Sequence, residues 1–412
     1  MDQRLFVLAR ESALKELLKN DAAALAQIKQ HIGTATTWMI LGWATGGIIF
    51  GMLSDKIGRV KTMVATLLVY SGFTGLSGCA QGWTDFNIYR FMVGLGVGGM
   101  FGAATTLVAE SVPGHVRSIA LGSLQALSAT GNILGSLITL HIQPGATQFW
   151  GDYSGWRVLF FVGILPALLV IPIIFILREP EAWKRTRAEA AAGRLKKTGS
   201  PIDLFEHPRW RRNALVGLLL GLSGMFGLWG IGFFSPELIS TALAGAPQSQ
   251  VDTVRGWGLA FQDVGSFIGM LVFTYVASRW SRRTAFLGAF ALSLVATVFV
   301  FYSLRSATDA YWMLPLMGFA QLSVFAGYSI YFPELFPTRL RGTGIGFCYN
   351  TVRYLAAPAP WLMGHLSSLL KDHSVKEPFR IAAILMCSIF FVGMIALVWA
   401  PETKGKPLPE DS

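Results

Sequence analysis

Arg353 is the residue whose type and position could do the most chemistry. It lies about 10 residues into a long apolar stretch, roughly 15 Å along a helix. A charge that deep is costly in a bilayer and tends to mark function. Its planar guanidinium fork fits a carboxylate or phosphate. Asn350, Arg353 and Tyr354 stand at i, i+3 and i+4, so the three form a candidate substrate-binding face. The alternative is a structural arginine paired with a buried acid. Asp263, beside Gln262 and about two turns into its own stretch, is the acid in question. It is expected to pair with Arg353 in one state, with substrate or a proton breaking the pair. Gln125, Ser128 and Asn132 lie along one face of another stretch, as hydrogen-bonding wall residues or as packing contacts. Trp38, Trp43, Phe226, Trp229, Tyr328 and Trp361 are candidate cavity aromatics, although aromatics in such stretches also anchor and pack.

A second constellation is Gly51-Met-Leu-Ser-Asp55-Lys56-Ile-Gly58-Arg59. Its glycines allow two helix ends to approach and turn tightly. Asp55, at a helix end among basic residues, can pair with a neighbouring loop or cap a helix N-terminus. Arg90-Phe-Met-Val-Gly94-Leu-Gly96-Val-Gly98-Gly99 imitates a phosphate loop. A dinucleotide site needs a preceding strand, which this apolar run lacks, so its small residues predict close helix packing instead.

Long helices must position these residues. Only 14% of the chain is charged, 53% is hydrophobic and the mean hydropathy is +0.50. An ordinary soluble domain carries about 25% charged residues, too many for this chain to match at its surface. Charge-free runs at 32–54, 62–84, 91–109, 158–177, 213–236, 284–304, 311–333 and 381–401 each approach the roughly 20 residues that cross a bilayer. The run 118–151 holds another span, and 256–278 and 342–370 cross with charge inside. The expectation is an all-α membrane protein with 11 full spans.

The formal net charge of +11 does not point to nucleic acid. Placing residues 54–61 in the cytoplasm gives 21 Lys and Arg on that side, against 12 on the outer side. Residues 178–212 alone hold 10 of them. This is the bias of an inner-membrane protein with basic cytoplasmic loops. Cys79, Cys348 and Cys387 are far apart, and neither they nor the six histidines have ligand spacing, so no metal or cofactor is expected.

The chain repeats itself. Glu110, Pro113, Arg117 and Gly122 recur 224 residues later as Glu334, Pro337, Arg341 and Gly346, and Gly94 recurs as Gly318. Two parallel bundles are expected, 1–178 and 213–412, joined by a polar cytoplasmic linker, 179–212. The second half supplies six runs and the first only five. Residues 1–10 therefore read as the outer end of a first helix whose remainder lies upstream, with a native 11-span chain as the alternative.

With these residues in view, the chain resembles the major facilitator superfamily over nearly its whole length. The stretch from Gly51 through Asp55, Gly58 and Arg59 resembles that superfamily's cytoplasmic gating loop. Its second-half counterpart, Thr274, Ser278, Ser281 and Arg282, has lost the acid and the glycines. Glu110 with Arg117, Glu334 with Arg341, and the ending Pro401-Glu402-Thr-Lys404 look like the sugar-porter and organic-acid-symporter branches. The resemblance implies acid–base networks that lock the inner gate. It implies a part for Arg90 in proton coupling, the alternative being an interfacial anchor. Asp2, Gln3 and Arg4 resemble part of the acid symporters' first helix, with Asp2 as a coupling residue.

The implied function is a secondary transporter, not an enzyme, that moves a small organic acid with a proton or other cation. A sugar porter is the runner-up, and a transport-inactive sensor of the same fold a further alternative. No GxxxxGK[ST] motif or nucleophile–base constellation is present to support pumping or catalysis. Short loops suit a monomer in the bilayer.

Overall fold

The computed structural model describes residues 2–18, 21, 28–142, 144, 150–196 and 198–410. These residues are almost wholly helical. In chain order, α1 is Asp2–Leu17, α2 Ile28–Ile57, α3 Arg59–Gly78, α4 Trp83–Ser111 and α5 Gly114–His141. A span α6 covers Gly155–Ile176, and two short helices follow, α7 (Glu181–Ala191) and α8 (Pro201–Glu206). The second half comprises α9 (Pro208–Ala242), α10 (Gln248–Arg279), α11 (Arg282–Ser303), α12 (Ala307–Leu335), α13 (residues 341–372) and α14 (Pro378–Ala396).

Eight of the described helices are long and apolar enough to cross a membrane. The sequence expectation of 11 spans counts more because α3 and α5, at 20 and 28 residues, have the length but carry many polar and small residues. The third, α13, is broken into Arg341–Gly346, a π-helical turn at Phe347–Thr351, Val352–Ala356 and Ala359–Asp372. The apolar face of α1, with Leu5, Phe6, Ala9 and Leu14 fully buried, packs against Phe86, Trp156 and Phe160 at the outer end of the first half. Glu16 ties its C-terminus to α6, accepting from Trp156 Nε1 at 2.7 Å and Arg157 Nε at 3.1 Å. The side chains of Asp2, Gln3 and Arg4 lie outside the described residues.

The glycines of α4 do what their spacing predicts. A Cβ on Gly94 or Gly98 would fall 2.1 Å from the backbone of α2, and one on Gly96 would fall 2.5 Å from that of α3. Close helix contact substitutes here for the hydrophobic driving force that lipid removes.

Two carboxylates cap matching helices. Gly58, at φ 120, lets α2 turn straight into α3 and leaves the first amides of α3 without partners. Glu179, 120 positions along, accepts from the amides of Arg59 at 2.7 Å, Val60 at 2.9 Å and Lys61 at 3.2 Å. Glu402 does the same for α11, accepting from Arg282 N at 3.1 Å and Arg283 N at 3.2 Å. Partial burial alone would push the Glu402 carboxyl up, but these amides and that of Lys404 hold it below the usual carboxylate range. Its contribution is therefore complete above the ordinary pKa of 4.5 and fades only as pH falls through the lower folded value. The Glu179→Gln variant is expected to lose about 1–2 kcal/mol of stability. A fall in the Tm of detergent-solubilised protein checks this, and an unchanged Tm contradicts it.

Candidate functional site: a central cavity above a closed inner gate

At the end carrying the basic loops, one connected set of charges joins the two halves. Asp55, fully buried, sends its carboxylate from α2 into the N-terminus of α13. Its Oδ1 accepts from Gly342 N at 3.0 Å, and its Oδ2 from Thr343 N and Thr343 Oγ1, both at 2.8 Å. The helix therefore presents its free amides, and the positive end of its dipole, to a carboxylate from the other half of the chain. Such an approach needs bare backbone. A Cβ on Gly342 would stand 2.6 Å from Gly51 O, and one on Gly346 2.5 Å from Gly47 O.

Beside this contact Arg59 makes a bidentate pair with Glu110, at 2.9 and 3.0 Å, and donates to Thr338 O at 2.8 Å. Arg341 donates to the same Glu110 carboxylate from across the gate. The polar segment between the halves reinforces the closure. Trp183 Nε1 donates to Asp55 O at 2.8 Å, Gly199 N to Arg339 O at 2.9 Å, and Arg339 pairs with Asp203 at 2.5 Å.

The second-half copy of this lock is incomplete. Arg282 pairs with Glu334 at 2.8 Å, as Arg59 does with Glu110. Yet Arg117, the counterpart of Arg341, only lies within electrostatic reach of Glu334, and its Nε is buried without a partner. Ser278, standing where Asp55 would, bonds to Tyr275 O of its own helix. The inter-half lock is thus carried by the first copy.

Above the gate is a cavity of about 480 Å³, within the range typical of small-molecule sites. The stacked rings of Phe101 and Tyr349, 3.9 Å apart, belong to its gate-side wall. Gln125, Ser128 and Asn132 of α5 line it, as do Trp43, Trp229 and Arg353. Arg353 is only 4% exposed. Its Nη1 donates to Tyr349 O at 2.8 Å and Asn350 Oδ1 at 2.7 Å, and its guanidinium lies 4.2 Å from the Trp43 ring centre. Its Nε is buried without a partner. Gln125 Oε1 also accepts from Ser329 Oγ of α12 at 3.1 Å, a polar contact between the two halves.

Several sequence expectations are corrected. Tyr354 does not share the face of Arg353, because the two are adjacent in the helical piece Val352–Ala356 and neighbours on a helix point about 100° apart. Its hydroxyl instead lies 2.5 Å from Thr45 Oγ1, outside the cavity. Asn350 is buried behind Arg353, against Gly47, as a positioning residue. Gln262 faces the seam with α12, where Gly318 admits its backbone, and Asp263, which has other contacts, is half-buried; neither lines the cavity. Arg353 and Asp263 are not paired in this conformation. Arg90 is fully buried, bonded to Ser77 and ringed by Phe6, Phe86 and Phe160, which removes the interfacial-anchor reading. Of the six candidate aromatics, only Trp43 and Trp229 reach the cavity. Sequence reasoning missed Tyr349 and Phe101. Helical spacing of Tyr349 from Arg353 was the available signal.

This architecture matches known proteins throughout. Residues 21–359 match the family model of the Major Facilitator Superfamily, and the chain belongs to that family. It is therefore an integral inner-membrane transporter of a small molecule. It is 30% identical to the cis,cis-muconate transport protein of Acinetobacter baylyi, over 91% of this chain and 86% of that one. It is 26% identical to the arabinose-proton symporter of Bacillus subtilis, over 92% and 85%. The proton:xylose symporter XylE bound to 6-bromo-6-deoxy-D-glucose shares the fold, with a TM-score of 0.77 at 19% identity over 99% of this chain and 94% of that one.

The gate geometry makes a direct prediction. Asp55→Asn removes a charge that receives three hydrogen bonds; bonds to charged groups contribute about 1.5–3 kcal/mol each. A single reporter cysteine placed at buried Ser54, in a protein otherwise free of cysteine, should react slowly with a membrane-impermeant maleimide from the inner side. With Asp55→Asn it should react at least about tenfold faster. Equal rates would show that Asp55 does not hold the gate.

Proposed function

We propose that this chain moves a small organic carboxylate across the membrane together with a proton, by alternating access. Two bundles, residues 1–178 and 213–412, rock about the central cavity, joined by the cytoplasmic linker 179–212. The observation that carries this reading is Arg353, a buried guanidinium in the cavity wall with no carboxylate partner among the described residues. A carboxylate entering the cavity would pair with the open part of its fork, while Asn350 and Tyr349 O fix the fork's orientation. Trp43 and Trp229 offer flat apolar surface to the substrate's carbon frame, and Gln125, Ser128 and Asn132 offer hydrogen bonds from the opposite half. The resemblance to the cis,cis-muconate transport protein of Acinetobacter baylyi supports this substrate class.

For coupling, Asp263, Arg90 and Asp2 remain the proposed residues, with Asp263 pairing with Arg353 in a conformation other than this one. The gate set Gly51, Asp55, Gly58, Arg59, Glu110, Arg117, Glu334 and Arg341 is proposed to close and release the inner face, in a monomer.

A sugar porter is the competing reading, favoured by the hydroxyl and amide groups on α5 and by the arabinose-proton symporter relative. Uptake into proteoliposomes separates the two. With an imposed pH gradient, a labelled carboxylate should accumulate. Arg353→Ala should lower its kcat/KM by about 10- to 100-fold, and Arg353→Lys should restore only part of it. Sugar uptake indifferent to Arg353→Ala would reject the carboxylate reading.

A further inference from the structure

A second chamber of about 360 Å³ lies toward the outer end, and Arg353 and Trp229 belong to its wall as well as to the wall of the central cavity. Arg10 of α1 lines the same chamber, with Thr36 of α2 and Phe233 of α9. Two guanidinium groups from opposite halves of the chain thus border one partly apolar space. Neither is ion-paired with a carboxylate among the described residues, although Glu11 lies within electrostatic reach of Arg10. Arg10 is half-buried and donates through Nη1 to Thr36 Oγ1 at 3.2 Å. The acid next to it in sequence, Glu11, is exposed and pairs with Lys15 at 2.7 Å. Arg353 is bonded only to Tyr349 O and Asn350 Oδ1, with Nε buried and unpartnered.

Two partly desolvated cations facing one chamber, with only the exposed and already paired Glu11 near one of them, make it a poor site for a neutral molecule. It would be only half-satisfied by a monoanion. We propose that the substrate is a dianion, a small dicarboxylate whose one carboxylate sits on Arg353 while the other is held by Arg10. This rests on the carboxylate reading above and goes further, by naming the second charge and the residue that selects for it. Thr36 steers the Arg10 fork, and Trp229 and Phe233 flank the carbon chain between the two charges. Arg10 is in this account a specificity residue, since a monocarboxylate would use Arg353 alone.

The test is proteoliposome uptake of straight-chain four- to eight-carbon dicarboxylates and of phthalate isomers, each beside its monomethyl ester, at pH 7. At least one diacid should show a kcat/KM tenfold or more above that of its monoester. Arg10→Gln should remove most of that preference, lowering diacid uptake at least tenfold while monoester uptake stays within about twofold. Arg10→Lys should recover part of it. Equal loss for diacid and monoester in Arg10→Gln would mean that Arg10 only positions α1, and would overturn the proposal. An effect equal for both and abolished by salt would mean long-range steering, and would overturn it too. Arg353-dependent uptake of monocarboxylates with no preference for any diacid defeats the dianion proposal alone. Uptake of no carboxylate at all defeats the reading it rests on as well.

Discussion

The burial of one carboxylate, that of Asp55, in the N-terminus of a helix from the other half of the chain is the constraint on which this conformation depends. Its three hydrogen bonds need the two backbones to touch, and Gly51, Gly342 and Gly346 are what allow it. Once α2 and α13 meet there, Arg59, Glu110 and Arg341 fall within bonding distance of one another. Every charge in the set is buried and has a partner. Removing one therefore leaves others uncompensated, and the gate is expected to open as a unit.

The same seam places the cavity. Tyr349 and Arg353 follow on α13 above the glycine contact, and Phe101 reaches Tyr349 from α4. With the inner ends pinned, the remaining space lies toward the outside, as a central cavity and an outer chamber that share Arg353 and Trp229. The two halves are unequal at this seam. Only one copy keeps the acid that locks across the seam, while Ser278 and Arg117 in the other make no matching inter-half bond.

Much of this was legible from residue types. Charge-free runs announced the helices because a bilayer leaves the chain few other ways to satisfy its backbone. The spacing around Asp55 announced a cap or cross-pair at a helix end, and the glycines after Arg90 announced close packing. What escaped the sequence depended on which way a side chain faces or on distant chain. Tyr354 is at i+4 from Asn350 but directly follows Arg353, and neighbours on a helix point to different faces, so its hydroxyl meets Thr45 instead. Gln262 and Asp263 looked like cavity residues because polarity in an apolar run is conspicuous, yet α10 turns Gln262 toward α12. Glu179 as the cap of α3 had no local signal, since the helix it serves begins 120 residues earlier.

The most direct test of the central claim is the distance between spin labels on the inner ends of α3 and α11, measured by pulsed electron resonance in lipid nanodiscs with and without Glu110→Gln. If the Glu110 bridge between Arg59 and Arg341 holds the inner ends together, the unmodified protein gives a short, narrow distribution. The variant should then shift substantially to longer distances, while labels at the outer ends move closer. Indistinguishable distributions would contradict the account, because the closed inner gate would then be held by something other than the buried charge set.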